Sequence, residues 1–185
     1  MRVIAGAARS CKLSSLAGEE TRPTTDRVKE SVFNMVMPYI EGAEALDLFA
    51  GSGALGIEAL SRGAKECTFV ENNRLAMQVI RQNLAHTRLD SAAKLAERDA
   101  ISFLEGTKED YSLIFLDPPY DGGWYAPVLS LIGKRKLLRP NGILVLEKRA
   151  DAMLPVPAEW ELIKERKYGN IGIWILMTKG EEEHD

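Results

Sequence analysis

Asp117-Pro118-Pro119-Tyr120 sets a carboxylate, two φ-locked prolines and an aromatic ring side by side. The residues before it, Tyr111-Ser112-Leu113-Ile114-Phe115-Leu116, form a mostly apolar run that reads as a buried parallel strand, stopped by the prolines. In an open α/β sheet, ligands sit beyond the carboxyl ends of the strands. At that address a carboxylate and a stiffened backbone carbonyl can accept hydrogen bonds from a ligand while a tyrosine stacks on it. An Asp-Pro turn also closes strands in many α/β proteins, so these four residues alone leave a plain turn open.

Asp-Pro-Pro-Tyr resembles the signature of methyltransferases that use S-adenosylmethionine to methylate an amino nitrogen conjugated to a ring or carbonyl. The residue types suit that chemistry. An exocyclic nucleobase amine is a poor nucleophile, because its lone pair is delocalised into the ring. If the Asp117 carboxylate accepts one N–H and the Pro118 carbonyl the other, the lone pair turns out of conjugation toward the methyl donor. Positioning and stabilisation of the developing positive nitrogen then supply the rate. Pro119 keeps the turn rigid, and Tyr120 stacked on the base adds roughly 1–3 kcal/mol.

A second constellation, Asp47-Leu48-Phe49-Ala50-Gly51-Ser52-Gly53-Ala54-Leu55-Gly56, lies at a strand-to-helix turn, with Glu71 twenty residues after Gly51 at the end of the next strand. Gly51 to Gly56 is a literal G-x-G-x-x-G, so a nicotinamide dehydrogenase is the rival reading. Three features oppose it. Phe49-Ala50 intervene before the first glycine. Asp47 at the strand's end would repel a pyrophosphate but suits a cationic ammonium group. A dehydrogenase also has no evident use for Asp117 to Tyr120. The glycines let the chain pass close to a methionine moiety, and Glu71 suits ribose hydroxyls in either reading. After the third strand, Asp99 can accept from an adenine amine while the Ala100 N–H reaches a ring nitrogen; a helix N-cap at Asp99 is compatible with that role. Asn72 and Asn73 either line the adenine pocket or cap the next helix. The cofactor site is therefore expected at Asp47, Phe49, Ala50, Gly51, Ser52, Gly53, Glu71, Asn72, Asp99 and Ala100.

These turns can meet only if strands and helices alternate, and from Glu44 onward they do. Strands are expected near 45–49, 66–71, 93–98, 111–116 and 142–147, with helices near 53–62, 73–86, 99–105 and 124–133. Residues 160–168 and 171–178 then read as two strands joined tightly at Gly169-Asn170. The pattern predicts an α/β protein: a doubly wound, seven-stranded, mainly parallel sheet of the Rossmann-like methyltransferase type, with an antiparallel terminal hairpin strand. Upstream, Val3 to Gly6 and Lys12-Leu13 suit a small hairpin, and 17–24 is a loop. Thr24-Thr25-Asp26 opens a helix whose Val28, Val32, Met35, Val36 and Tyr39 face the core, ended by Pro38. The expected organisation is a basic arm over 1–24, a methyltransferase domain over 25–180 and an acidic tail over 181–185.

A length of 185 residues suits one domain with a real core. The formal charge of −3 includes four acids among the last five residues; without them 24 basic groups face 23 acidic ones. Any basic face must then be local. One candidate is 134–149, where Lys134, Arg135, Lys136, Arg139, Lys148 and Arg149 stand against Glu147 alone. Cys11 and Cys67 lack CxxC or His-rich company, which argues against a metal or disulfide framework and for a reducing cytosol. The apolar stretch from Val3 to Ala8 is too brief for a signal peptide, and the longest apolar run, Ile171 to Met177, is far short of a membrane span. A soluble, cytoplasmic monomer with no membrane association is expected.

Over nearly its whole length the chain resembles bacterial 16S rRNA (guanine-N2)-methyltransferases of the small-subunit guanosine 966 type. The resemblance is carried by Arg2-Val3-Ile4-Ala5-Gly6, by Arg22-Pro23-Thr24-Thr25-Asp26-Arg27-Val28, by the stretch from Asp47 to Ala64, and by Asp117-Pro118-Pro119-Tyr120. The Arg-Pro-Thr-Thr-Asp-Arg stretch is the most family-specific; Asp-Pro-Pro-Tyr is shared with DNA adenine, DNA cytosine and other RNA enzymes. The resemblance implies S-adenosyl-L-methionine as cofactor and methylation of a guanosine N2 amine in 16S rRNA, in the small ribosomal subunit or its assembly intermediate, with the base splayed from its stack. It also implies that Thr24, Thr25 and Arg27 approach the cofactor or target pocket, and that Arg2, Arg9, Lys12 and Arg22 contact RNA beside it. Ala7-Ala8-Arg9-Ser10-Cys11-Lys12 is less basic than the family's usual tract. Two alternatives stay open: a DNA or other RNA amino-methyltransferase acting on adenine N6 or cytosine N4, for whose usual target-recognition domain the chain has no room, and a noncatalytic S-adenosylmethionine-binding ribosome assembly factor.

Overall fold

The computed structural model describes residues 1–17, 23–120 and 122–180, without the side chains of 23–25. Arg22 and the acidic tail lie outside the described residues. Seven strands form one sheet: β1 (Glu44–Leu48), β2 (Glu66–Val70), β3 (Ala93–Ala96), β4 (Tyr111–Leu116), β5 (Leu138–Arg149), β6 (Trp160–Tyr168) and β7 (Ile171–Thr178). Their order is β3-β2-β1-β4-β5-β7-β6, parallel from β1 to β5, with β7 antiparallel to both β5 and β6. The mainly parallel, doubly wound sheet and the terminal hairpin are as expected. The last strand in sequence takes the inner place because its Ile173, Trp174, Ile175 and Leu176 are buried. Charged β6, with Glu161, Lys164, Glu165, Arg166 and Lys167, protects the edge.

Among the described residues five α-helices cover the faces: α1 (Pro23–Val36), α2 (Ala54–Ser61), α3 (Arg74–Thr87), α4 (Ala100–Gly106) and α5 (Tyr125–Lys134). Apolar residues of α1, α2 and α3 share one core with Ala45, Leu113, Phe115, Ile143 and Val145. Those of α4 and α5 share another with Leu46, Leu48, Ile114, Leu116 and Leu144 on the opposite face. The period-2 alternation of buried strands thus feeds two layers of helix. Among the described residues no helix is long and apolar enough to cross a membrane.

Three local expectations need correction. First, α1 begins at Pro23, one residue before the expected threonine cap, a position where the missing proline N–H costs nothing. Second, Met37–Tyr39 form a 3₁₀ turn whose tighter winding leaves Tyr39 exposed and buries Ile40 instead. Third, β5 begins at Leu138, because Pro140-Asn141-Gly142 lies within the strand, near a register shift opposite Tyr111 and Leu113. A Cβ at Gly142 would stand 2.9 Å from the carbonyl oxygens of Arg139 and Ser112, so only glycine passes there.

The N-terminal hairpin is a single bridge, Arg2 with Lys12, and side chains of α2 and α3 hold the arm. The Glu58 carboxylate accepts the Ile4 N–H at 3.0 and 3.1 Å. Ser61 Oγ accepts the Ala8 N–H at 2.9 Å and donates to the Ala5 carbonyl at 2.6 Å. Asn83 accepts the Ser14 N–H at 2.8 Å and donates to the carbonyls of Ser14 and Ser52, each at 2.9 Å. Gly6, at φ +86°, lets the arm lie against α2; a Cβ there would sit 1.8 Å from the Ser61 carbonyl oxygen. Val3, Ala8 and Leu13 complete the docking from the apolar side.

Candidate active site

Strand order reverses between β1 and β4, which opens a crevice at their carboxyl ends. Parallel pairing aligns Leu48 with Leu116 and Leu116 with Leu146. One residue further, Asp117 just past β4 therefore stands beside Glu147 of β5. Alternation puts Asp47, Asp117 and Glu147 on the face that Ala45, Phe115 and Val145 share with α1. All three carboxylates line one cleft of about 340 Å³, together with Phe49, Ala50, Gly51 and Ser52 from the turn after β1 and Val28 and Lys29 from α1.

The turn after β1 is shaped by left-handed residues: Phe49 at φ 56°, Gly51 at 58° and Gly53 at 81°. A Cβ at Gly51 would meet nothing within 4 Å, so the loop's backbone faces open cleft, whereas one at Gly53 would press Phe69 at 3.3 Å. Phe49, the non-glycine member, packs on Trp124 with ring centroids 5.3 Å apart.

The carboxylates carry the electrostatics. Asp47 is 1% exposed and accepts the Gly56 N–H at 2.9 Å. Burial nevertheless pushes its carboxyl up to about 8, and Glu71 adds to the push. Asp117 is raised well above the ordinary carboxylate range by burial first, then by Glu147 and Asp47. Glu147 is raised by burial, partly offset by the Tyr120 hydroxyl, which donates to it at 3.3 Å. Tyr125 donates to the Glu147 backbone carbonyl at 2.8 Å. No cation is among the groups that shift Asp47, Asp117 or Glu147. Lys29, on the cleft wall, has its ammonium turned to Glu58 at 3.8 Å and to the Arg2 carbonyl, and burial lowers its pKa. With no cation of the protein's own among these shifts, a ligand that brings positive charge would favour the ionised carboxylates. Among the described residues no group of three or more His, Cys, Asp and Glu is placed to hold a metal ion.

Glu71 is engaged by backbone: one oxygen accepts the Gly51 N–H at 2.8 Å, the other the Asn73 N–H at 2.9 Å. An ionised carboxylate has about four acceptor positions, so two stay open to a pair of hydroxyls. Asn73 caps α3, accepting from the Leu75 and Ala76 N–H groups, while Asn72 is exposed beside it. Asp99 caps α4, accepting the Ser102 N–H at 2.9 Å, with Ala100 buried behind it. Pro118 is buried, Pro119 exposed, and Tyr120 41% exposed at the mouth of a wider cavity of about 820 Å³ lined also by Arg149, Lys167, Asn170 and Ile171. Ile171 borders both spaces.

Arg2, Arg9, Lys12 and Arg27 are all exposed, and Arg2 stands 3.8 Å from Asp26. Thr24 and Thr25 are in the first turn of α1, but their side chains, like all of Arg22, lie outside the described residues. The basic run over 134–149 is not one patch. Arg135 donates to the Leu104 and Thr107 carbonyls and Arg139 pairs with Glu44 and Asp110 at one end of β5. Lys148 and Arg149 lie at the other end, nine and ten residues beyond Arg139 at roughly 3.3 Å each. Lys148 is 2% exposed, bonded to the Arg149 and Ala152 carbonyls. Sequence reasoning missed Glu147, Lys29 and Trp124. Glu147 carried a usable signal: an acid directly after the apolar run Ile143 to Leu146, as Asp117 directly follows the run Leu113 to Leu116.

A model of the family described as conserved hypothetical protein 95 matches residues 1–177. YlbH of Bacillus subtilis (strain 168) is 42% identical over 185 residues, which take in 97% of this chain and 100% of that protein. Ribosomal RNA small subunit methyltransferase D of Haemophilus influenzae is 40% identical over 172 residues, 91% of this chain and 89% of that one. The solved structure of yhhF from Escherichia coli superposes with a TM-score of 0.85 at 35% identity, covering 97% of this chain and 98% of that chain.

Proposed function

This chain belongs to the conserved hypothetical protein 95 family, that of the ribosomal RNA small subunit methyltransferase D proteins, and from that premise we propose that it is an S-adenosylmethionine-dependent rRNA methyltransferase acting on the N2 amine of a guanosine in small-subunit 16S rRNA, the 966-type site. The observation that carries the reading is that Asp117 and the glycine turn after β1 line the same cleft. Asp47, the backbone of Ala50 to Gly53, Glu71 and the Asp99–Ala100 turn would hold the cofactor: the first against its ammonium group, Glu71 against ribose hydroxyls, the last against adenine. When bound, S-adenosylmethionine supplies an electrophilic methyl group on a positively charged sulfur.

The chain's own residues do the rest. The Asp117 carboxylate accepts one N–H of the target amine and the Pro118 carbonyl the other, which frees the nitrogen lone pair and stabilises the positive charge that grows on it. Tyr120 covers the face of the splayed base. Arg2, Arg9, Lys12 and Arg22 of the arm, with Thr24, Thr25 and Arg27 at the start of α1, form the RNA side. Labelled-methyl transfer to small subunits, followed by mapping of the modified nucleotide, tests the whole reading. Asp117→Ala should lower the rate at least about a hundredfold while cofactor affinity, measured calorimetrically, stays near wild type. Near-full turnover by that variant would sink the mechanism.

A further inference from the structure

Asp117 answers for the target amine and leaves the carboxylate beside it without a part in the reaction. Building on the methyl-transfer reading above, we propose that Glu147 selects guanine, accepting the ring N1–H next to the N2 amine that Asp117 holds. Asp117 directly follows β4 and Glu147 stands beside it on β5, on neighbouring parallel strands roughly 4.8 Å apart, on the same face of the sheet and in the same cleft. Two acceptors in one cleft can each take one donor from the same edge of a planar base.

Guanine has that edge: its N2 amine is flanked by N1–H. The N6 amine of adenine is flanked by the N1 lone pair, and the N4 amine of cytosine by the N3 lone pair. Burial raises the Glu147 carboxyl, but a cationic cofactor in the same cleft favours its ionised form. An ionised carboxylate only accepts, so Glu147 then makes a charge-assisted bond with guanine and meets a lone pair with either of the others. A buried acceptor left facing a lone pair is the arrangement that rejects an analogue most strongly.

The local structure favours this use. The Glu147 backbone is fixed by its pairing with Ile173 of β7, directly after Leu146 pairs with Leu116 of β4, and Tyr125 ties down its carbonyl. Its side chain is held loosely, by a Tyr120 O–H···O contact of 3.3 Å, long for that bond type. Tyr120 can therefore leave the carboxylate as it closes on a base. A purely structural Glu147, one that only steers Tyr120, makes a different prediction: Tyr120→Phe and Glu147→Gln would then alter base preference alike.

The test uses the full chain and small subunits reconstituted with 2-aminopurine in place of the acceptor guanosine mapped for the wild type. That analogue keeps the N2 amine but has a lone pair at N1. Wild type should show kcat/KM at least about a hundredfold lower on it than on guanosine. Glu147→Gln, whose amide can donate to the lone pair, should narrow the ratio to about tenfold or less, whereas Tyr120→Phe and Glu147→Asp should keep the wild-type preference whatever their rates. A wild type that accepts both bases within about threefold, or a Glu147→Gln variant with the wild-type ratio, overturns the proposal. If Glu147→Gln does not fold, judged by binding of S-adenosylhomocysteine, the wild-type ratio together with that of Glu147→Asp decides. Absence of transfer to guanosine subunits by the wild type would overturn the methyl-transfer reading itself, a failure separate from equal transfer to both.

Discussion

Asp47 stands in the sheet between Phe69 of β2 and Phe115 of β4, and burial first, then the charge of Glu71, raises its carboxyl to about 8. Between the ordinary carboxylate value and about 8, the folded protein holds a proton that the unfolded chain has released. Stability therefore falls as pH rises through that window and is flat below it. Asp47→Asn removes the titration and keeps an oxygen for the Gly56 N–H. In the absence of cofactor the variant should melt higher than wild type, with the gap opening between about pH 5 and about pH 8, at roughly 2–4 °C per kcal/mol for a chain this long. Calorimetric scans across that range check it; a gap that does not grow with pH would show that the carboxyl is not strained. An acid at a strand's end was legible in the sequence. Its cost was not, because the two phenylalanines reach it from strands 22 and 68 residues away. Glu147 was hidden differently: its six basic neighbours in sequence made it look like the exception in a solvated run.

At the scale of elements, the strand and helix pattern was legible from Glu44 onward because buried parallel strands and amphipathic helices repeat with different periods. The register of Pro140 to Gly142 was not, since those residues read as a turn whether or not a strand passes through them. The arm was read as a hairpin because hairpins are local, but it is held by Glu58, Ser61 and Asn83, partners 53 to 69 residues distant. Asn83 ties two segments together, bonding Ser14 of the arm and Ser52 of the turn after β1. Asn83→Ala strands those backbone groups in a buried site, at a cost of about 1–3 kcal/mol for each group left unpaired. Denaturant unfolding should show the loss, and titration with S-adenosylhomocysteine should show weaker binding because the Ser52 carbonyl is released. Lost stability with unchanged affinity would confine Asn83 to the arm.

Over the whole molecule, composition gives a nearly neutral body and says nothing of where its charges lie. The basic run that looked most like an RNA-binding patch is divided between opposite ends of β5, with Arg135 and Arg139 already committed to carbonyls and carboxylates. The arm differs: over its described residues, 1–17, it contains Arg2, Arg9 and Lys12 and no acid, and all three are exposed. Docking by Glu58, Ser61 and Asn83 keeps that cationic edge in a fixed relation to the cleft, so a phosphate backbone would meet its charges without ordering the arm first. If each of the three neutralises one phosphate, replacing all of them with glutamine should flatten the slope of log affinity against log salt by about 0.7 per contact on single-stranded RNA, about 2 in all. Cofactor affinity should not change, since none of the three lines the cleft. The competing surface is the rim of the wider cavity beside Tyr120, where Arg149 and Lys167 stand. RNA affinity measured at several salt concentrations separates the two. A slope that flattens in the arm variant and holds in Lys167→Gln assigns the phosphates to the arm, whereas an unchanged slope in the arm variant removes the arm from the RNA surface.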